Sequence, residues 1–461
     1  MSALAQLAQA RGCRVFGSDP GADPTLNPAI ARLLDGGATV FRMHDAANIA
    51  DHISLVVATA AVKGDNSEIV EAKRRGIRIV SRAEFLGELM AAHGGAKIAV
   101  AGTHGKTTTT AMLGVMLQEA GWNPTVFVGA EVAQLGGNVY IGADDAPFVA
   151  EACEAYDSFL SLKPDIAIIT NIEADHLDHY GDFEGVKESF RTFLDTIPFE
   201  AKHGIVYCGA DAPTRELVEE LAGPIWRYDY GFAGQQLSAR VENITYNDGM
   251  TRFEYVYDET LRVSVSLQVP GQHNVLNAAA ALTTAVILGA NDLESLGKMA
   301  QGLSAFRGAE RRQEILDNTG DVLIMDDYAH HPTEIRATMD AVRAAYPNRR
   351  LLAVFQPHLY SRTRDFLAEF AAELARADVL FVTEIYAARE LPIEGVNALE
   401  IVIRAQGQNP NLTAQFIPNK LEIPAALNKM VQAGDMVLIM GAGDIREQGE
   451  QLAALRKEAA A

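Results

Sequence analysis

The stretch Gly102-Thr103-His104-Gly105-Lys106-Thr107 constrains this chain more than any other. It follows the mostly apolar run Lys97–Ala101 and leads into Thr108-Thr109-Thr110-Ala111-Met112. The order is strand, glycine-rich turn, helix start, which calls for an α/β fold with a phosphate cradle at a strand end. Backbone N–H groups of such a turn point inward, and the helix N-terminus adds partial positive charge. A lysine placed like Lys106 reaches the distal phosphates, and a hydroxyl such as that of Thr107 can ligate Mg²⁺. The usual pattern has a glycine five residues before the second one; Val100 stands there, so the loop is a shortened one. A bare Gly-Lys-Thr also occurs in ordinary turns before helices, but the strand before it and the threonine run after it favour nucleotide binding. Gly102, Thr103, His104, Gly105, Lys106, Thr107 and Thr108 are therefore the expected cofactor cradle, for a nucleotide with Mg²⁺.

A chain of 461 residues has room for about three domains of ordinary size. Its formal charge of −21 argues against nucleic acid or an anionic membrane as partner, since both need clustered Lys and Arg. Nucleotide phosphates must then be held by local donors, and screening over about 8 Å makes the global repulsion tolerable. Cys13, Cys153 and Cys208 are far apart and form no metal-ligand pattern, as expected of free thiols in a reducing cytosol. There is no signal-peptide pattern and no apolar run of about 18 residues that would insert in a membrane, so a cytoplasmic protein is expected.

Three segments follow from the element pattern. Residues 1–93 alternate strand candidates (Cys13–Phe16, Leu55–Ala58, Ile77–Val80) with helix-like runs, the clearest being Asn66–Arg75. Gly17-Ser18-Asp19 sits at a strand end, where a dinucleotide-type fold places an acid or hydroxyl near its ligand. The Gly-rich loop of such folds lies about 20 residues earlier, which falls at or before Met1, so a first strand and loop are expected to be missing. Residues 94–311 hold the P-loop strand, then Phe148–Glu151, Ile166–Asn171 and Gly204–Tyr207, and a hairpin signal at Asn247-Asp248-Gly249. Residues 312–461 carry Val322–Met325, Leu351–Phe355, Val379–Thr383 and Met436–Met440 with helices between them, a second open parallel sheet.

Ligands of open α/β sheets collect at strand carboxyl ends. Glu151 ends one strand, and Asn171-Ile172-Glu173-Ala174-Asp175-His176 follows another. Glu151 and His176 are candidates for a second Mg²⁺, although imidazole is an unusual ligand for a hard cation and Glu151 as a helix cap is an equal alternative. Gln272-His273-Asn274-Val275-Leu276-Asn277 opens an Ala-rich helix. Asn274 and Asn277 share a helix face, suited to a purine edge or phosphate oxygens, with plain N-capping as the competing role. The pair Arg311-Arg312 reads either as a solvated basic pair or with Arg312 as the candidate to close over phosphates. Asp326-Asp327-Tyr328-Ala329-His330-His331 and Gln356-Pro357-His358-Leu359-Tyr360-Ser361-Arg362 each follow a strand. Asp327 suits ribose hydroxyls, His330 a substrate carboxylate, and Arg362 bidentate carboxylate binding. Adjacent histidines point apart, which disfavours zinc.

These motifs, in this order, resemble the Mur ligase family: Ala101–Thr110, Thr170–His176, Pro270–Asn277, Asp326–Glu334 and Phe355–His358. The resemblance implies a three-domain ATP-dependent ligase of peptidoglycan precursor synthesis. It would join the lactyl carboxylate of UDP-N-acetylmuramate to the amine of L-alanine through an acyl phosphate. Carried over by motif, Lys106 binds the β/γ-phosphates and Thr107 a Mg²⁺, while Glu151 and His176 serve a second. Asn274 and Asn277 contact the nucleotide, Arg312 its phosphates and Asp327 its ribose; His330 and Arg362 face the alanine. Leu359 departs from the family, where an arginine is frequent. A ligase attaching a murein tripeptide to the same UDP-sugar is the close alternative, and a P-loop switch is the alternative of a different class.

Overall fold

The computed structural model describes residues 1–460 apart from Leu26, Ala60, 199–203, Gln235, Asp248 and Thr319. The Asn247–Gly249 turn therefore lies partly outside the described residues, although strands form on its two sides as expected, over Ala239–Asn247 and Met250–Tyr257 against the expected Val241–Tyr246 and Thr251–Tyr257, and are sheet neighbours. The fold is mixed α/β and packs as two compact units. One comprises 1–243, 253–265 and 276–306, the other 244–252, 266–275 and 307–461.

The first unit begins with the helix Ser2–Ala10 and two separate two-stranded parallel pairs. Phe16–Ser18 pairs with Thr39–Phe41, and Leu55–Ala58 with Arg78–Ser81. The first strand thus starts at Phe16 and not at Cys13. Its neighbour is only three residues long, so Cys13 and Arg14 have no ladder to join. The helix Ser67–Arg74 forms as expected, with Asn66 accepting from the backbone N–H groups of Glu68 and Ile69.

The ten-stranded sheet runs Leu261–Leu267, Met250–Tyr257, Ala239–Asn247, Arg227–Phe232, Gly204–Cys208, Ile166–Ile169, Lys97–Ala101, Phe148–Glu151, Thr125–Val132, Gly137–Tyr140. Lys97–Ala101 lies between Ile166–Ile169 and Phe148–Glu151, parallel to both. Three carboxyl ends, those bearing the P-loop, Glu151 and Thr170–Glu173, thereby converge. These strands read as unbroken apolar runs because both their faces are covered. Ala99, Ala101, Phe148, Ala150, Ala167 and Ile169 all join one core with Phe159, Phe190 and Phe193.

The second unit holds a six-stranded sheet in the order Glu314–Asp317, Leu323–Asp327, Met436–Met440, Leu351–Phe355, Val379–Val382, Thr413–Phe416. All neighbours are parallel except the first pair. Period-two alternation sorts its side chains into two cores. Leu323, Met325, Leu351, Ala353, Phe355, Leu438 and Met440 pack with the helices Pro332–Ala345, Leu367–Leu374 and Leu399–Gln408. Ile324, Leu352, Val354, Val437 and Ile439 pack on the opposite face with Ile423–Met430 and Arg446–Ala460. Met436–Met440 separates Leu323–Asp327 from Leu351–Phe355, so the chain order reverses there, the place at which ligands of open α/β sheets bind.

Candidate functional site

In the first unit the helix after the loop runs Lys106–Glu119, two residues earlier than the threonine run suggested, with Gly105 at its N-cap (φ 83°). Gly102 has φ 135°, and a Cβ there would stand 2.0 Å from Thr170 Oγ1. A Cβ on Gly105 would stand 2.7 Å from Asn277 Oδ1. Both glycines are dictated by backbone angle and close approach. The loop is stitched to the neighbouring strand end: Thr103 N donates to Asn171 O (3.0 Å) and His104 N to Asn171 Oδ1 (2.8 Å). Asn171 Nδ2 donates back to His104 O (3.0 Å), and Glu173 N to Thr103 Oγ1 (2.8 Å). The first intrahelical bond runs from Thr109 N to Gly105 O, which leaves the preceding N–H groups, including that of Thr108, at the open helix end.

Lys106 donates to Gly102 O (2.6 Å), Thr103 O (2.9 Å) and Glu154 Oε1 (2.9 Å). Burial, the largest single influence, would lower its pKa, but the charge and hydrogen bond of Glu154 together with Cys153 and Glu151 hold the ammonium above its ordinary value. Glu154 is 3% exposed. Sequence reasoning passed over it, because it lies in an irregular segment where Tyr156 and Asp157 adopt φ of 53° and 56°. Its spacing, three residues after a strand-end glutamate, was the available signal. Glu151 accepts from Thr107 Oγ1 (3.0 Å) and from Gly129 N (2.7 Å). It is no helix cap. Two oxygen donors beside a lysine ammonium fit a hard divalent cation on a phosphate. His176 has φ 52°, and its Nε2 lies 4.0 Å from Asp175 Oδ2.

Asn277 is buried beside Gly105, on the helix Gln272–Leu288. Asn274, one turn earlier, donates from Nδ2 to Pro270 O (2.7 Å) and belongs to the second unit. Sharing one helix face has not given the two amides the same surroundings.

In the second unit the two arginines divide their work. Arg311 (φ 59°) donates to Gly443 O (2.9 Å) and to Asp326 Oδ2 (3.3 Å), and its carbonyl accepts from Tyr328 N (2.7 Å). Arg312 lies over the Tyr328 ring (5.2 Å to the centroid) with its Nη1 3.9 Å from Glu334 Oε1. Asp327 accepts from Ala329 N (2.7 Å) and Gln313 N (3.0 Å). Burial pushes its carboxyl up to about 7, against the opposing pull of Arg312. Its neighbour Asp326 is likewise raised by burial, to about 6, despite Arg311 and Arg446.

His330 Nδ1 lies 2.9 Å from Tyr328 O and 3.2 Å from Glu334 Oε2. Its ring meets that of His358 at 5.8 Å, and His358 Nδ1 is 3.4 Å from Arg362 Nη1. The structure therefore joins His330 and Arg362 through His358, which sequence reasoning did not assign. Leu359 precedes the helix Tyr360–Asp365 with φ 71° and ψ 137°, a region L-residues seldom enter. Imidazole and guanidinium groups thus gather at the carboxyl ends of two strands, Leu323–Asp327 and Leu351–Phe355. Among the described residues no helix is long and apolar enough to cross a membrane.

Family models match along the chain: "Mur ligase family, catalytic domain" over residues 1–93, "Mur ligase middle domain" over 100–285, and "Mur ligase, glutamate ligase domain" over 311–443. The chain is 40% identical to a UDP-N-acetylmuramate--L-alanine ligase of Salinibacter ruber, across 98% of this chain and 91% of that protein. It is also 40% identical to the ligase of the same name from Geobacter sulfurreducens, across 100% and 96%. Among solved structures it resembles the UDP-N-acetylmuramate-alanine ligase MurC of Thermotoga maritima (TM-score 0.80, 28% identity, 100% and 97% covered). A murein peptide ligase of Psychrobacter arcticus is similar at TM-score 0.69 and 26% identity, covering 98% and 96%.

Proposed function

The chain belongs to the Mur ligase family, and on that premise we propose that it joins L-alanine to UDP-N-acetylmuramate at the expense of ATP. The products are UDP-N-acetylmuramoyl-L-alanine, ADP and phosphate, a step of peptidoglycan precursor synthesis. The observation that carries this reading is the 40% identity over 98% of the chain to a ligase of that activity.

A carboxylate does not condense with an amine in water. Its oxygen first attacks the γ-phosphorus of ATP, releasing ADP and leaving an acyl phosphate. The amine then attacks the acyl carbon, and the tetrahedral adduct expels phosphate as the nitrogen loses its proton. Phosphoryl transfer asks for positioning and charge neutralisation more than covalent help. Lys106 supplies a fixed positive charge at the β/γ-phosphates, and the backbone N–H groups of Gly105–Thr108, at the open helix end, supply donors. Thr107 and Glu151 would hold Mg²⁺, which when bound neutralises phosphate charge; His176 would serve a second ion. Asn274 and Asn277 would orient the nucleotide, Asp327 its ribose and Arg312 its phosphates. His330 and Arg362 would hold the alanine carboxylate, leaving its amine free. Residues 1–93 would take the UDP-sugar, 94–311 ATP and 312–461 the amino acid. We place the reaction in the cytoplasm, where ATP is available and the free Cys13, Cys153 and Cys208 stay reduced.

The test is ADP release with ATP and UDP-N-acetylmuramate, with either L-alanine or murein tripeptide as acceptor. L-alanine-dependent release is expected. Dependence on tripeptide would move the chain to the peptide ligases, and release with no acceptor would make it a nucleotide switch.

A further inference from the structure

An ammonium has three donors, and on Lys106 all three are engaged: Gly102 O, Thr103 O and Glu154. The third partner is the informative one. Two carbonyls can hand a proton donor to a phosphate and lose a neutral contact. Glu154 is a carboxylate, 3% exposed, with its Oε2 2.8 Å from Nζ. Its placement is built in, since the Glu154 carbonyl accepts from the Tyr180 hydroxyl. The following Asp157 is tied to His179 (2.8 Å) and to Ser189.

When a phosphate takes Lys106, Glu154 is left buried, without its partner, and facing further negative charge. A buried carboxylate in that position is strongly unfavourable unless another cation replaces the lysine. Glu151, whose charge also acts on Lys106, deepens the same negative field. Nucleotide carrying its own divalent cation brings the missing charge, whereas metal-free nucleotide brings only more anion.

We propose that Glu154 is a gate on the P-loop, pairing with Lys106 in the empty state so that nucleotide enters only together with a divalent cation. This rests on the reading of Gly102–Thr108 as the ATP cradle and adds a selectivity that the loop by itself lacks. A bare P-loop binds polyphosphate through its amides and lysine, with or without metal. Here the carboxylate makes metal-free ATP a poor ligand and spares the enzyme an unproductive complex.

Isothermal titration with the non-hydrolysable imido analogue of ATP, in excess MgCl₂ and in excess EDTA, tests the gate by binding alone. Wild type is expected to prefer the metal-loaded nucleotide by at least about tenfold, as loss of a buried charge partner implies. In Glu154→Gln the preference should shrink to roughly threefold or less, chiefly by tighter binding of the metal-free analogue. Glu119→Gln, an equal charge change on the exposed end of the same helix, should leave the ratio as in wild type. An unchanged ratio in a Glu154→Gln protein that melts cooperatively overturns the gate, and so does an equal narrowing in Glu119→Gln. If Glu154→Gln does not fold, Glu154→Asp gives the same reading, with an intermediate ratio expected and an unchanged one overturning. Failure of wild type to bind the analogue in either condition would instead remove the ATP reading of the loop.

Discussion

Thr107 Oγ1 lies 3.0 Å from Glu151 Oε1, one residue opening a helix and the other closing a strand. The hydroxyl donates to the carboxylate, so both oxygens already converge on one point beside Lys106. Glu151 is further fixed by Gly129 N at 2.7 Å, where any side chain on residue 129 would collide with the carboxylate. Convergence of oxygen donors before the cation arrives is what a Mg²⁺ site at a P-loop requires.

Glu151→Gln is accordingly expected to raise the Mg²⁺ concentration for half-maximal ADP release by roughly 10–100-fold, the loss usual when support of a metal site is removed. Thr107→Val should act in the same direction. A magnesium titration of initial rates reads both, and an unshifted midpoint in Glu151→Gln would place the cation elsewhere.

Lys106→Ala should abolish ADP release and also weaken the fold, because it strands the buried carboxylate of Glu154. Removing one partner of a buried ion pair costs about 3–5 kcal/mol. Urea unfolding should show most of that loss recovered in the double variant Lys106→Met, Glu154→Gln, with activity still absent. Equal stabilities of the single and double variants would show the pair to be weakly coupled.

Asp327 carries a pH dependence of definite sign. Burial raises its carboxyl to about 7 from the ordinary 3.8. Between those values the folded state keeps the proton and the unfolded chain does not, so its contribution to stability falls as pH rises. His273, pushed down to about 4 by burial, tilts the opposite way below its ordinary 6.5. The measurement is therefore a difference: urea midpoints of wild type against Asp327→Asn from pH 4 to 7.5. Wild type is expected to lose stability relative to the variant across that range. A constant difference would mean that Asp327 stays ionised.

Leu359 (φ 71°, ψ 137°) holds a turn that glycine adopts without strain and alanine does not. Leu359→Gly and Leu359→Ala delete nearly the same apolar surface, so their difference isolates the backbone. Glycine is expected to be the more stable by about 1–2 kcal/mol, reversing the usual order. Because this turn leads into the helix bearing Arg362, Leu359→Gly should also raise KM for L-alanine with little change in KM for ATP. Alanine more stable than glycine would show the turn to be unstrained.

Much of the site was legible one element at a time. The P-loop reads from its strand, turn and helix because each is a local pattern, and Glu151, Asp327 and the His330 segment announce themselves as polar groups ending apolar runs. The arginine pair was legible as a pair, but not its division of labour. Arg311 is spent on the carbonyls of Gly441 and Gly443, 130 residues or more away, and no local pattern predicts such a contact. The start of the first strand was misplaced for a related reason. A strand exists only as far as its neighbour runs, and Thr39–Phe41 is three residues long.

What the sequence determined by itself is the chemistry that is possible here: a strand-end phosphate loop, acids and imidazoles at further strand ends, and motifs in the order of one ligase family. Those are properties of period, spacing and residue type, which short-range physics reads. The tertiary structure decided which groups meet. It laid Lys97–Ala101 between Phe148–Glu151 and Ile166–Ile169, put Glu154 on Lys106, and linked His330 to Arg362 through His358. Strand order and the path of irregular loops follow from burying both faces of a parallel sheet at once. That condition is satisfied by the whole chain and written in no single segment of it.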